Sequence, residues 1–321
     1  MIYRTYKYYT LSKAFFPQFQ VEGTQNIWII KPVGNSKGSG IFLVDNLEEA
    51  LESGIQNNSR IIQKYIEKPL ILHDFPLPSL DGKKFDLRQW VLVTDVNPLT
   101  VYMFSSCYLR ICSADFDLHD IKNNFSHLTN FSVNKEKYGR NVQNSVCDLD
   151  LLKDYLKNTR NIDWDTHIKP EIINIILETL LHVSPELEQK SGCFELFGFD
   201  LLLDERCKPW LLEVNLSPAC AERTPWLIDM LNKMATGLLE LVLPLQFLAK
   251  PQGNSQFSNE NEFEDEYNHK DYSWDLIFKG DEMERPKKDG VANGNLMLEV
   301  VGNKLNWKKD QDFDKKINWN R

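Results

Sequence analysis

No apolar run in this 321-residue sequence approaches the roughly 20 residues that a membrane-spanning helix needs. The first residues, Met1-Ile-Tyr-Arg-Thr-Tyr-Lys-Tyr-Tyr9, lack the apolar block of a secretory signal. A membrane partner is therefore not expected. The six cysteines, at 107, 112, 147, 193, 207 and 220, include no CxxC pair. That spacing points away from a zinc site or a disulfide frame and towards reduced, cytoplasmic usage. Positive charge is in deficit: the net charge of −9 argues against general affinity for nucleic acid. Local basic patches could still bind an acidic partner. No internal repeat occurs, and no Walker A loop.

What is present is ordinary for a soluble enzyme, with abundant aromatics and enough length for a large α+β unit. Residues 1–20 read as helical or irregular. The body opens with a buried strand at Asn26-Ile-Trp-Ile-Ile-Lys31, a glycine-rich loop over Gly34 to Gly40, and a strand from Ile41 to Val44. Asn46 can cap a helix through Glu52. Ile61 to Ile66 reads as a strand that Lys68-Pro69 ends. Phe85 to Thr94 alternates as a core strand, Asn97-Pro98 turns the chain, and Thr100 to Phe104 returns it, with Tyr108 to Cys112 continuing or following. Residues 148–190 have helical spacing. Trp226 to Phe247 predicts a last amphipathic helix. From about Lys250 the composition predicts a polar, largely disordered tail with apolar islands at Tyr272 to Phe278 and Leu296 to Val301.

The chemistry concentrates at the end of this order. Phe197 to Asp204 and Lys208 to Asn215 read as strands joined by the short turn Glu205-Arg-Cys207, an antiparallel hairpin that sets Asp200 nearly opposite Glu213. Glu213 and Asn215, two apart, share a face. Two close carboxylates are unfavourable unless a cation sits between them. Oxygen-only donors in small number suit Mg²⁺, with phosphate oxygens and water completing the shell. The ordinary alternative for these residues alone is an exposed acidic hairpin end.

The Gly34 to Gly40 loop, with Lys31 and Lys37, can present backbone N–H groups and charge to phosphate. A strand follows it, so it is not a P-loop. The Gln63-Lys64-Tyr65-Ile66 strand could read an adenine through its backbone edge. Lys84, Asp86 and Arg88 lie on one strand face, opposite Phe85 and Leu87. With Arg110 on a nearby strand, these cations require anionic company, phosphate or carboxylate. Thr129 and Asn130 could meet ribose or phosphate. His127 reads as a structural histidine. Each of these motifs alone has an ordinary structural reading.

In this order the motifs resemble the ATP-grasp architecture, in which two α+β subdomains clasp ATP. Trp28-Ile-Ile-Lys-Pro32, Gln63-Lys-Tyr-Ile-Glu-Lys-Pro-Leu70, Lys84-Phe-Asp-Leu-Arg-Gln-Trp90, His127-Leu-Thr-Asn130 and Glu213-Val-Asn215 look like the tubulin tyrosine ligase-like family over residues 20–247. The segments Phe85 to Thr94, Asn97 to Val101 and Tyr108 to Arg110 are most similar to its glycylase branch.

The resemblance implies an ATP- and Mg²⁺-dependent ligase that adds glycine to glutamate side chains in the acidic tails of tubulin. A glutamylase, a tyrosine ligase and a non-catalytic microtubule adaptor are the alternatives. It implies that Lys31, Lys37 and Gly38 hold phosphates, that Gln63 to Ile66 line adenine, and that Lys84 and Asp86 contact the nucleotide. Thr129 and Asn130 would lie near ribose and phosphates. Asp200, Glu213 and Asn215 would bind Mg²⁺, and Arg88 and Arg110 would face the reacting carboxylate or incoming amino acid. The expected layout is a remnant segment over 1–20, a ligase domain over 21–247 and a tail with short docking segments over 248–321, with the family's N-terminal domain missing. A monomer of the cytoplasm, cytoskeleton and ciliary axoneme is expected.

Overall fold

Two antiparallel sheets organise the chain in the computed structural model, which describes residues 25–34, 37–46, 48–50, 52, 60–139, 141–187, 192–243 and 272–282. The remnant segment over 1–20, the Leu296 to Val301 island and the end of the last predicted helix lie outside these residues. The class is α+β.

The smaller sheet has the order β2-β1-β3, from Trp28–Pro32 (β1), Phe42–Val44 (β2) and Arg60–Lys64 (β3). Its strand alternation buries both faces. Trp28, Ile30, Val44 and Ala50 form one cluster, and Ile27, Ile29, Leu43 and Tyr65 pack with Ile121 and Leu128 in another. That second cluster fixes the small sheet against the 116–133 region. Asn46 accepts from the Glu48 N–H at 2.8 Å, as its capping role predicts. Glu67 anchors the chain beneath β3, accepting from the N–H groups of Gln25 (2.7 Å) and Ile27 (2.9 Å) and from Lys64 Nζ (2.6 Å).

The larger sheet runs β6-β5-β4-β7-β8. Its axis is the hairpin of Lys83–Val96 (β4) and Leu99–Asp115 (β5), paired from Lys83↔Asp115 to Val96↔Leu99. The two segments around Tyr108 are therefore one long strand. Val146–Asp148 (β6), Glu195–Leu203 (β7) and Pro209–Leu216 (β8) complete the row. Phe85, Leu87, Val91 and Val93 project to one face, where Leu152, Leu156, Ile172, Ile176 and Leu180 cover them. Those covering residues come from helices Leu149–Arg160 and Lys169–Val183, separated by a wide turn at Trp164–Ile168. Each such buried side chain contributes roughly 1.5–3 kcal/mol. Asn161, left-handed at φ 54°, ends the first helix, and Pro170 sits in the first turn of the second, where its missing N–H costs nothing.

The opposite face divides. Trp90, Phe104 and Tyr108 pack under Leu227, Met230, Leu231 and Met234 of the helix Pro225–Val242. Lys84, Asp86 and Arg88 occupy the same face further along β4. A helix therefore closes one end of this face and leaves the other polar.

The apolar island at Tyr272 to Phe278 contains a strand. Trp274–Lys279 (β9) pairs with β5 from Phe104↔Trp274 to Thr100↔Lys279. Trp274 donates its indole N–H to Met234 O at 3.0 Å and meets the Phe104 ring edge-on at 5.3 Å. A Cβ on Gly237 would lie 3.0 Å from this ring, so the helix presents glycine where the indole lands. Lys169 pairs with Asp275 at 3.3 Å. Trp274→Ala is expected to lower stability by about 3 kcal/mol, the low end for truncating a large packed aromatic. Urea denaturation measures it. A loss under ~1 kcal/mol would show that β9 is not integral to the sheet.

Candidate active site

Strand register brings the charged residues of four strands into one row. Asp86 is opposite Arg110, Arg88 is opposite Asp200, and Asp200 is opposite Glu213. The side chains complete what the register starts. Arg110 grips Asp86 with Nε and Nη2, both at 2.7 Å, and its Nη2 also reaches Asp200 Oδ2 at 2.8 Å. Arg88 donates to Asp200 through Nε at 2.6 Å and Nη2 at 3.3 Å. Thr129 donates its hydroxyl to Asp86. The anionic company that Arg88 and Arg110 require is thus supplied by the protein's own carboxylates.

The electrostatics follow from burial. Asp200 is 1 % exposed, which alone would raise its pKa, but Arg110 and Arg88 overcome this and hold it below the ordinary aspartate value. Burial likewise works against the Arg110 charge, and Asp86 and Asp200 more than offset it, so its pKa is raised. Glu213 differs. Its outer side is open to solvent, yet the protein packed around the carboxyl, and then the Asp200 charge, push its pKa up.

Asn215 donates to Asp200 Oδ2 at 3.1 Å, to Glu213 Oε1 at 3.5 Å and to Gly198 O at 3.3 Å. The three predicted metal residues therefore meet at one point. The two carboxylates are hard oxygen donors, and the Asp200 charge, second to burial in raising the Glu213 pKa, is a repulsion that a divalent cation would relieve; Asn215 turns its amide nitrogen to them, so its oxygen would join the set only with the amide reversed. The donors fit Mg²⁺.

The predicted nucleotide residues gather around this row. Lys31 reaches across from the small sheet and donates to Leu212 O on β8 at 3.3 Å. Its pKa is lowered, first by burial, with Glu213 opposing. Lys84 is buried, donates to His127 O at 2.7 Å and lies 4.7 Å from the Tyr65 ring centroid. Burial lowers its pKa too. His127 is held by Tyr65 Oη at 3.1 Å and by Asp120 O at 3.2 Å, a structural role as expected.

The phosphate-loop candidates Lys37 and Gly38 lie against the start of the helix Phe131–Tyr138. Ser132 donates its hydroxyl to Lys37 O. A Cβ on Gly38, whose φ is 78°, would fall 2.8 Å from Val133 Cγ2 and 2.9 Å from Asn130 Oδ1. Glycine is required here by both conformation and space. Asn130 and the loop are thereby brought together. Gln63 and Lys64 sit on β3, at the edge of the small sheet. Tyr65 and Ile66 follow it, with the Tyr65 N–H already bonded to Ile27 O at 3.0 Å.

Sequence reasoning missed Arg223. The segment between β8 and the Pro225–Val242 helix folds back over the row, and Pro218 lies so near Gly198 that a Cβ there would approach it to 2.6 Å. Arg223 lies over the Phe131 ring with its Cζ 4.5 Å from the centroid. No strand alternation or glycine signal marks this stretch, so only its charge could have drawn attention.

With this geometry in view, comparison with known proteins is decisive. The family model described as Tubulin-tyrosine ligase family matches residues 1–251. The chain belongs to the tubulin-tyrosine ligase family. Among relatives of this tubulin-tyrosine ligase family member, Tubulin glycylase 3E of Tetrahymena thermophila is 43% identical over 321 residues, 98% of this chain and 23% of the relative. Tubulin glycylase 3F of the same organism is 42% identical over 224 residues, 69% of this chain and 25% of that protein. Tubulin monoglycylase TTLL3 of Homo sapiens is 35% identical over 230 residues, 66% of this chain and 28% of that protein. The chain spans about a quarter of the length of these relatives. The similarity to glycylase 3E runs past residue 251, where the family match ends, and includes β9. Among the described residues, no helix is long and apolar enough to cross a membrane.

Proposed function

We propose that this chain carries an ATP-grasp ligase core that attaches glycine to glutamate side chains in the acidic tails of tubulin. The observation that carries the reading is the continuous row Arg110–Asp86–Arg88–Asp200–Glu213, flanked by Lys31 and the Gly38 loop. The similarity to tubulin glycylases supports the choice of substrate. An activity on tubulin belongs to the cytoskeleton and to cilia.

In the proposed reaction an acceptor carboxylate oxygen attacks the γ-phosphorus of ATP and ADP leaves. The amine of glycine then attacks the acyl carbon, loses a proton and displaces phosphate, leaving an isopeptide bond. Asp200, Glu213 and Asn215 would hold Mg²⁺, which supplies positive charge opposite the phosphates. Lys31, Lys37 and the Gly38 loop carry phosphate, while Gln63 to Ile66 offer an edge for adenine. Asp86 fixes Arg110, and Asp200 fixes Arg88, so the guanidinium groups are held rigid in advance. Preorganised cations of this kind lower the barrier without any covalent nucleophile. Cys107 and Cys112, the cysteines on β5 beside the row, are unsuited to that role: burial pushes their thiols up to about 12.

The test is mass spectrometry of tubulin after incubation with the full chain, Mg-ATP and isotope-labelled glycine, glutamate or tyrosine. Glycine adducts on tail glutamates are expected. Exclusive addition of glutamate or tyrosine would replace the donor and keep the ligase. Absence of any adduct, with Mg-ATP bound normally, would favour an adaptor.

A further inference from the structure

The row of pairs leaves one guanidinium unmatched. Arg88 and Arg110 both have their donor forks filled by Asp200 and Asp86. Arg223 has neither: among the described residues no ion pair and no hydrogen bond reaches it, and its Nε is fully buried without a partner. Its contact is the Phe131 ring at 4.5 Å. Burial is the main cause that lowers its pKa; Arg110 and Arg88 add to it, and Tyr108 and Tyr138 oppose it. A half-buried guanidinium whose buried Nε has no acceptor is an unfavourable arrangement until an anion joins it.

Position narrows the choice of anion. Arg223 lies on the segment that folds over Gly198 and Arg88, and it stacks on the first residue of the helix whose N-terminal side holds Asn130 and the Gly38 loop. It therefore borders the site without belonging to the metal cluster or the phosphate loop. The guanidinium is held by the Phe131 ring away from the Gly38 loop and the Asp200–Glu213–Asn215 cluster, which points to an organic carboxylate more than to the nucleotide phosphates. We propose that Arg223 is a substrate-binding residue whose guanidinium receives a carboxylate of one of the two organic substrates. This rests on the ligase reading above. Two carboxylates are available to it: the α-carboxylate of the incoming amino acid, which must be held while the amine reacts, and that of the acidic acceptor.

The experiment compares wild type, Arg223→Gln and Arg223→Lys as full chains with Mg²⁺ and a non-hydrolysable ATP analogue. Binding of isotope-labelled glycine, of glycinamide and of a glutamate-rich peptide is followed by NMR line broadening, and nucleotide affinity by calorimetry. Arg223→Gln is expected to weaken one carboxylate ligand roughly tenfold or more, the scale of a hydrogen bond to a charged group. Arg223→Lys should recover part of that loss, and nucleotide affinity should not change. Weakened glycine with unaltered glycinamide assigns the site to the amino acid. Weakened peptide assigns it to the acceptor. Equal binding of both carboxylates by wild type and Arg223→Gln overturns the proposal, as does a wild type that binds neither. If tubulin receives no amino acid yet carboxylate binding depends on Arg223, the ligase reading fails and this one stands. If Arg223→Gln ligates with unchanged KM for both substrates, the reverse holds.

Discussion

Asp200→Ala is expected to remove roughly 3–5 kcal/mol of stability at neutral pH, the range for breaking a buried charge network from one side. Asp200 accepts from Arg88, Arg110 and Asn215 at once. Alanine leaves two buried guanidinium groups, with Asp86 the remaining carboxylate among them. The pH dependence carries a signature. Because the folded pKa of Asp200 is depressed, its contribution is fully present above the ordinary aspartate value of about 3.9. It is lost as pH falls through the lower folded value. The wild type should therefore show a steep acid limb that the variant lacks. Urea denaturation at pH 7 and at a series of acidic pH values measures both. A loss under ~1 kcal/mol would mean that the arginines find other partners. Asp200→Asn, which keeps the shape and loses the charge, should fall between the two.

Much of this row was legible because it is built on local pattern. The polar turn at Glu205 to Cys207, between two apolar strands, sets the hairpin register as far as Leu201↔Leu211, and a bulge at Leu212 then brings Asp200 opposite Glu213. Alternation along β4 assigns Lys84, Asp86 and Arg88 to one face. What alternation could not give was partner choice. Arg88 and Asp200 are 112 residues apart and meet because β7 pairs with β4 and not with β5. Without that pairing, two arginines looked like cations awaiting substrate. Composition marked Tyr272 to Phe278 as an apolar island but could not show that it forms a strand: so short a segment has no periodicity long enough to mark one, and its stability comes from the β5 edge and from Phe104 and Met234. Arg223 was invisible for the related reason that its role depends on which acids are already taken.

Glu213→Gln separates folding from chemistry in the opposite sense to Asp200→Ala. Packing around the carboxyl and the neighbouring Asp200 charge raise the Glu213 pKa, so its ionised form is disfavoured in the fold without a cation. For an acid shifted upward, the favourable contribution is present below its unfolded pKa and is lost as pH rises through the folded value. At neutral pH the carboxylate is thus a penalty that glutamine lacks, and metal-free stability should hold or rise slightly. Function should move far the other way. With the cation facing one carboxylate fewer, Mg-ATP binding should weaken, and ligation should fall by roughly two orders of magnitude or more, the scale for groups that face charge in the transition state. Calorimetry with Mg-ATP, beside denaturation of the metal-free chain, reads both halves. A variant that is strongly destabilised would show Glu213 to be a structural acid like Asp200. One that binds Mg-ATP as the wild type does would move the cation away from the Asp200–Glu213–Asn215 cluster.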